Sequence, residues 1–372
     1  MQRFDVKVCG SGIVGRSLAL ALSRLGLSVA LVAETPARPP RDDVRAYALN
    51  AASIALLTGL KVWEALPRDA RTAVHDMRVQ GDAPDARLEF SSWEQRVGAL
   101  AVITDAAALE QELATALRFA PHVSHLDGDA RPAEATLVAH CEGRDSAARQ
   151  ALGAGFESSD YGQRAIAARL VASRPHGNMA RQWFRSPDVL ALLPFDRPAA
   201  GCSYGLVWSL PTAQADRLLA ADIATFETEL ALATGGEAGT LSLASERAAW
   251  PLAIGRASRW CGPGWVLLGD AAHVVHPLAG QGLNLGLADV AALVATIAAR
   301  EPWRPLGDER LLRRYVRQRA APTAAMLRIT DGLQRLFADE ATPIRQLRNN
   351  GLTLVNRVAP LKRWLAARAL DS

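Results

Sequence analysis

Three glycines, at positions 10, 12 and 15, separate an apolar segment at 4–9 from a longer apolar run at 13–25. In that setting the spacing G-x-G-x-x-G predicts a strand, a tight turn and a helix. Gly26 stops the helix, and a second strand over 28–32 completes a βαβ unit. Such a turn leaves the first N–H groups of the helix without backbone partners and aims them at the space above it. Gly10, Gly12 and Gly15 therefore predict a cradle for the pyrophosphate of a dinucleotide. An acidic residue roughly 20 positions further on should meet the ribose hydroxyls. Glu34, 19 residues after Gly15, is the local candidate.

A second constellation narrows the choice of dinucleotide. Gly269-Asp270-Ala271-Ala272-His273 follows a buried strand expected over 265–268, and His276-Pro277-Leu278-Ala279-Gly280-Gln281-Gly282-Leu283-Asn284 leads into an apolar helix expected over 283–299. A carboxylate at a strand end, just ahead of another helix N-terminus, suits a flavin. Asp270 is placed to hold ribityl hydroxyls, and the N–H groups around Gly280, Gln281, Gly282, Leu283 and Asn284 to face the pyrimidine edge of the ring.

With 372 residues, 49% of them hydrophobic, the chain has material for two or three compact units. Helical patterns fall at 51–60 and 105–117, with a strand-like stretch over 77–90 between them. Short apolar runs broken by Pro and Gly over 165–210 predict a second unit built on a sheet. The formal net charge is only +4, and lysine occurs only at 7, 61 and 362. That balance does not predict nucleic-acid binding. Residues 301–372 carry 14 basic against 7 acidic side chains, so the surplus lies at the C-terminal end, which reads as helical over 308–369. A basic helical end of this kind suits a solvated surface, an acidic partner or anionic lipid.

Cys9, Cys141, Cys202 and Cys261 are widely spaced, without the intervals of a zinc site or a disulfide framework. This predicts no metal and a reducing, cytoplasmic setting. His273-x-x-His276 lacks a third ligand at metal-site spacing. No uninterrupted apolar run reaches the roughly 18 residues of a membrane span. Nor is there a nucleophile elbow or a carboxylate pair to support hydrolysis. His176 is either a structural histidine or a substrate contact. Trp183, Trp208, Trp250 and Trp260 either pack a core or line a pocket.

Taken with these motifs, Asp43-Val44-Arg45-Ala46-Tyr47-Ala48-Leu49, Tyr161-Gly162-Gln163-Arg164-Ala165-Ile166, Leu192-Leu193-Pro194 and Val207-Trp208-Ser209-Leu210-Pro211 resemble the class A FAD-dependent aromatic monooxygenases. Within that class the chain is most similar to the ubiquinone-biosynthesis hydroxylases, over nearly its whole length. The resemblance implies an α/β fold: a Rossmann-like FAD-binding domain of the glutathione-reductase type, a β-sheet substrate domain, and C-terminal helices. The implied division is 1–75, 98–160 and 256–300 for the FAD domain, 76–97 and 161–255 for the substrate domain, and 301–372 for the helical end.

The implied reaction is hydroxylation of the aromatic ring of a polyprenylated phenol by O₂, with NADH or NADPH as reductant, through a flavin C4a-hydroperoxide. Arg45 would lie beside the isoalloxazine, and His276 and Pro277 would border its reacting face. Other enzymes of ubiquinone biosynthesis and the inner face of the membrane are the implied partners, met through the basic helices. The chain departs from the family at Ala33, where a Glu is usual, at Ala107, where an Arg is frequent, and at Glu142, which replaces the Asp of an Asp-Gly pair reaching the pyrophosphate. These departures keep two alternatives open: a weakly FAD-binding or non-catalytic assembly subunit, and an FAD oxidoreductase of another reaction type.

Overall fold

The computed structural model describes residues 3–33, 43–83, 86–127, 134–275 and 281–338, with side chains to 332. Glu34, His276, Pro277 and Gly280 lie outside these residues. The fold is organised by three sheets.

The first sheet has six strands in the order Cys261–Gly262, Trp265–Leu267, Glu134–His140, Arg3–Cys9, Val29–Ala33, Val123–Asp127. Its central pairings are parallel, because helix Ile13–Arg24 carries the chain back over the sheet between the first two strands. Alternate residues of Arg3–Cys9 are buried, with Val6 and Val8 wholly out of solvent. They join Leu18 and Leu22 of the crossover helix and Leu287, Val290 and Leu293 of helix Gln281–Ala298 in the largest core. Each fully buried leucine contributes roughly 1.5–3 kcal/mol. Gln281–Ala298 is long and apolar enough to cross a membrane, but about half of it is buried inside this core.

The second sheet has nine strands. Eight run in the order His273–Val274, Ala248–Ala257, Phe156–Ala172, Ser203–Pro211, Asp188–Phe195, Met179–Arg185, Asp76–Gln80, Arg87–Ser91, and Leu241–Leu243 also pairs with Phe156–Ala172. The stretch expected over 77–90 is thus a hairpin: it turns at Gly81, whose N–H donates to the Ala86 carbonyl at 2.7 Å. One face of the sheet, with Ile166, Ala168, Leu170, Leu192, Leu206 and Trp208, packs under helices Thr212–Ala220 and Ile223–Thr234. Trp183 and Trp208 belong to that core, and Trp260 to a smaller one, whereas Trp250 is 39% exposed.

The third sheet, Ala46–Leu49, Ala101–Asp105 and Arg71–Val74, lies between the other two. The divisions we place at 160 and 256 fall within the continuous strands Phe156–Ala172 and Ala248–Ala257. The first strand changes register between Asp160 and Gln163. Strand His273–Val274, directly after the Asp270 turn, completes the edge of the second sheet.

Candidate active site

The parallel strand Arg3–Cys9 ends at the glycine turn, and each glycine there has its own requirement. Gly10 has φ +104°, and a Cβ on it would lie 2.3 Å from the Cys141 carbonyl oxygen. A Cβ on Gly15 would lie 1.9 Å from the Gly10 oxygen. These two let backbone pack on backbone. Gly12 differs, because a Cβ there meets none of the described residues within 4 Å. Gly12 is also the N-cap of helix Ile13–Arg24, which has no side-chain cap and no acidic residue in its first turn. Open space above uncapped N–H groups at a positive helix end fits a pyrophosphate. The adjoining strand ends at Ala33.

Asp270 sits in the short helical turn Gly269–Ala271 at the end of the last parallel strand. The residue is exposed to solvent, although many protein atoms surround its carboxyl. Burial raises its carboxyl above the ordinary range, against the opposing pull of His273, Arg45 and Arg144.

A buried carboxylate absent from the sequence-derived site holds this turn in place. Asp289 of helix Gln281–Ala298 accepts from the Gly269 N–H at 3.0 Å, from His273 Nε2 at 2.6 Å and from Arg319 Nε at 2.7 Å. Burial opposes its charge, but His273 and Arg319 outweigh that and keep it below the usual carboxylate range. His273 is thereby committed to Asp289. Gly286 and Gly269 bring the same helix and turn close to Val14, since a Cβ on Gly286 would lie 2.7 Å from Val14 Cγ2. The two cofactor motifs, some 260 residues apart in the chain, are fastened through this contact.

The side chains of Asn284, Leu283 and Gln281 are engaged within the protein. Asn284 Oδ1 accepts from the Asn50 N–H at 3.1 Å and from Ser53 Oγ at 2.8 Å, while Nδ2 donates to the Ala48 carbonyl at 2.8 Å and to Gln281 Oε1 at 3.2 Å. Its amide is spent tying the helix start to the third sheet and to helix Ala51–Gly59. Leu283 packs on the large core. Among the described residues, Val275 alone lies near a notional Cβ on Gly282. What these residues offer a ring edge is backbone, not side chain.

Arg45 precedes strand Ala46–Leu49 and is gripped by Asp43 through two bonds, Nε to Oδ1 at 2.8 Å and Nη2 to Oδ2 at 2.7 Å. Burial works against the Asp43 charge, but Arg45 holds its carboxyl below the usual range. The guanidinium also lies 5.6 Å from the Tyr47 ring and 5.7 Å from the Trp250 ring. Burial, with Asp43 and Asp270 nearby, pushes the Tyr47 hydroxyl up to about 12 although Arg45 opposes it. The Arg45 backbone is pinned as well, its carbonyl accepting from Arg169 Nη2 at 2.7 Å. Arg169 reaches from the second sheet and also meets Asp105, the N-cap of helix Ala106–Arg118. Ala107 borders a cavity of about 350 Å³ with Asp43, Asp105 and Arg197, space into which an arginine at 107 would extend.

Glu142 lies in the loop that Gly10 touches, and both its oxygens are engaged: Oε1 is 3.3 Å from His140 Nδ1, and Oε2 accepts from Ser146 Oγ at 2.5 Å. His176 is structural. Its Nδ1 accepts from the Asn178 N–H at 3.0 Å and its Nε2 lies 3.4 Å from Asp196.

An uncapped glycine turn beside an acidic turn on a parallel sheet, with a second sheet reaching Arg45, is the arrangement of a flavoprotein. Residues 102–330 match the family described as FAD binding domain. The ubiquinone hydroxylase UbiL of Rhodospirillum rubrum is 31% identical over 99% of this chain and 90% of its own. The 3-demethoxyubiquinol 3-hydroxylase of Escherichia coli is 30% identical over 99% of both. PqsL of Pseudomonas aeruginosa, a probable FAD-dependent monooxygenase of known structure, shares the fold with a TM-score of 0.77 at 22% identity, over 94% of this chain and 99% of its own. The chain belongs to the FAD-dependent monooxygenases of the ubiquinone-hydroxylase family, and FAD is its cofactor.

Proposed function

We propose that this protein hydroxylates the aromatic ring of a polyprenylated phenol in ubiquinone biosynthesis, with O₂ as oxygen donor and NADH or NADPH as reductant. The relatives' activities support the substrate class. Within the structure, the reading is carried by the meeting of Trp250 with Arg45. Trp250 pairs with Ala165, and Ala165 with Ser209, so all three share the sheet face opposite the helices. Ala165 and Ser209 are small and buried, and Trp250 is the large, exposed ring on that face, the aromatic surface we assign to the substrate.

FAD, when bound, accepts hydride and activates O₂. The chain's own part is to orient the ring and keep water out. Gly10, Gly12 and Gly15 bind the pyrophosphate, Asp270 the ribityl chain, and the backbone near Gly282 the pyrimidine edge. Arg45, locked by Asp43, presents fixed positive charge beside the reacting region. We assign His276 and Pro277 to the border of that region.

We further place the protein at the cytoplasmic face of the membrane, where such a substrate resides, docked on lipid or on other enzymes of the pathway through its C-terminal helices. Arg313 and Arg314 are bonded to Glu309 and Glu301, so exposed Arg317 and Arg328 are the better probes of docking. Replacing both with Glu should weaken co-sedimentation with anionic liposomes; unchanged co-sedimentation would remove lipid docking from the proposal.

The deciding experiment records the visible spectrum of the purified protein and follows NADH and NADPH oxidation with and without a prenylated phenol. Substrate-stimulated oxidation with a product enlarged by one oxygen atom is expected. Bound flavin without substrate-dependent turnover would point to a different FAD reaction, and failure of FAD to bind to an assembly subunit.

A further inference from the structure

Cys9 and His140 are the last residues of two adjacent parallel strands and are direct partners in their register. Glu142 follows two residues after His140. The thiol sulfur, an imidazole nitrogen and a carboxylate oxygen of these residues all lie within 4.8 Å of one another. Thiolate, imidazole and carboxylate are the three ligand types that zinc accepts together.

His140 Nδ1 and Glu142 Oε1 are hydrogen-bonded at 3.3 Å, a separation that a shared metal ion would also hold. A tetrahedral ion with Zn–N and Zn–O near 2.0–2.1 Å separates its ligand atoms by about 3.3 Å. The carboxylate is also braced: Ser146 donates to its other oxygen at 2.5 Å, the kind of outer bond that orients metal ligands. Burial is graded, with His140 8% exposed and Cys9 and Glu142 less deeply buried.

We propose that Cys9, His140 and Glu142 form a binding site for one Zn²⁺ ion. Binding releases the thiol proton, forms Zn–S, Zn–N and Zn–O bonds, and leaves a fourth position for water. The ion joins the ends of two parallel strands directly beneath the Gly10 turn. The site adjoins the proposed pyrophosphate cradle, so the test keeps FAD bound.

The test uses FAD-loaded full-length protein freed of metal by a chelator. Zn²⁺ titration by calorimetry should give one site per chain. Alkylation by iodoacetamide, mapped peptide by peptide, should show Zn²⁺ slowing modification of Cys9 at least tenfold, with Cys202 as internal reference. Cys9→Ser and His140→Gln should each weaken binding at least tenfold, and Ser146→Ala by roughly tenfold. Alkylation of the unaltered protein reads out the site even if a variant fails to fold. Zn²⁺ binding that leaves Cys9 alkylation unchanged, or that survives intact in Cys9→Ser, would overturn the proposal, as would no binding at all.

Discussion

His273 Nε2 and the Asp289 carboxylate stand 2.6 Å apart with neither side chain in contact with solvent, and Arg319 closes on the other carboxylate oxygen at 2.7 Å. This triad fixes the acidic turn of the cofactor site to two helices. Removing the carboxylate strands an imidazole and a guanidinium in the interior. Asp289→Ala should cost about 3–5 kcal/mol, read by urea unfolding, and should also lower the FAD content of purified protein.

The same carboxylate contributes a pH dependence of known sign. Its pKa in the folded chain is depressed, so its contribution is complete above the unfolded value of about 3.9 and drains away as pH falls toward the folded one. Stability measured from pH 6 to pH 3 should fall more steeply in the parent than in Asp289→Asn. Parallel slopes would show that Asp289 is not the charged member of the triad.

Asp188 has the opposite sign. Burial raises its carboxyl to about 6 despite Trp208 and Gln214 nearby. Its charge therefore costs stability, and the cost grows as pH rises from about 4 through 6. Asp188→Asn should gain about 1 kcal/mol at pH 8, after discounting for its partial exposure, and nothing at pH 3.5. Chemical unfolding at the two pH values separates this from a uniform packing effect.

Gly12 and Gly15 should fail in different ways. Gly12→Ala adds a methyl that meets none of the described residues, at an ordinary backbone angle, so the fold should melt as before while FAD affinity drops at least tenfold. Gly15→Ala drives a methyl into the Gly10 carbonyl and should destabilise the protein itself. Thermal unfolding with and without FAD distinguishes the two.

Trp250→Ala should raise the KM for a prenylated phenol about tenfold with FAD content unchanged, because it removes ring contact without touching the cradle. Arg45→Lys should lower kcat more than it raises KM, since lysine cannot reproduce the two-pronged grip on Asp43. Steady-state kinetics on both variants tests whether the two residues act separately.

The sequence by itself determined what is local. Gly10, Gly12 and Gly15 announced the turn because the strand before them and the helix after them are contiguous in the chain. The Asp270 turn and the following helix start were legible for the same reason, and residues 51–60 and 105–117 read as helices within a residue or two of Ala51–Gly59 and Ala106–Arg118. Tertiary structure alone decided which groups meet across distance. Asp289 sits in an apolar helix pattern that gives no hint of His273 or Arg319, and the Asn284 amide could not be assigned to the third sheet before that sheet was placed. Cys9 and His140 lie 131 positions apart, so no spacing rule reveals them as ligands together; they become neighbours because parallel strands align residues distant in the chain. Local backbone preference is written residue by residue, whereas a buried charge or a ligand set depends on which segments fold against each other.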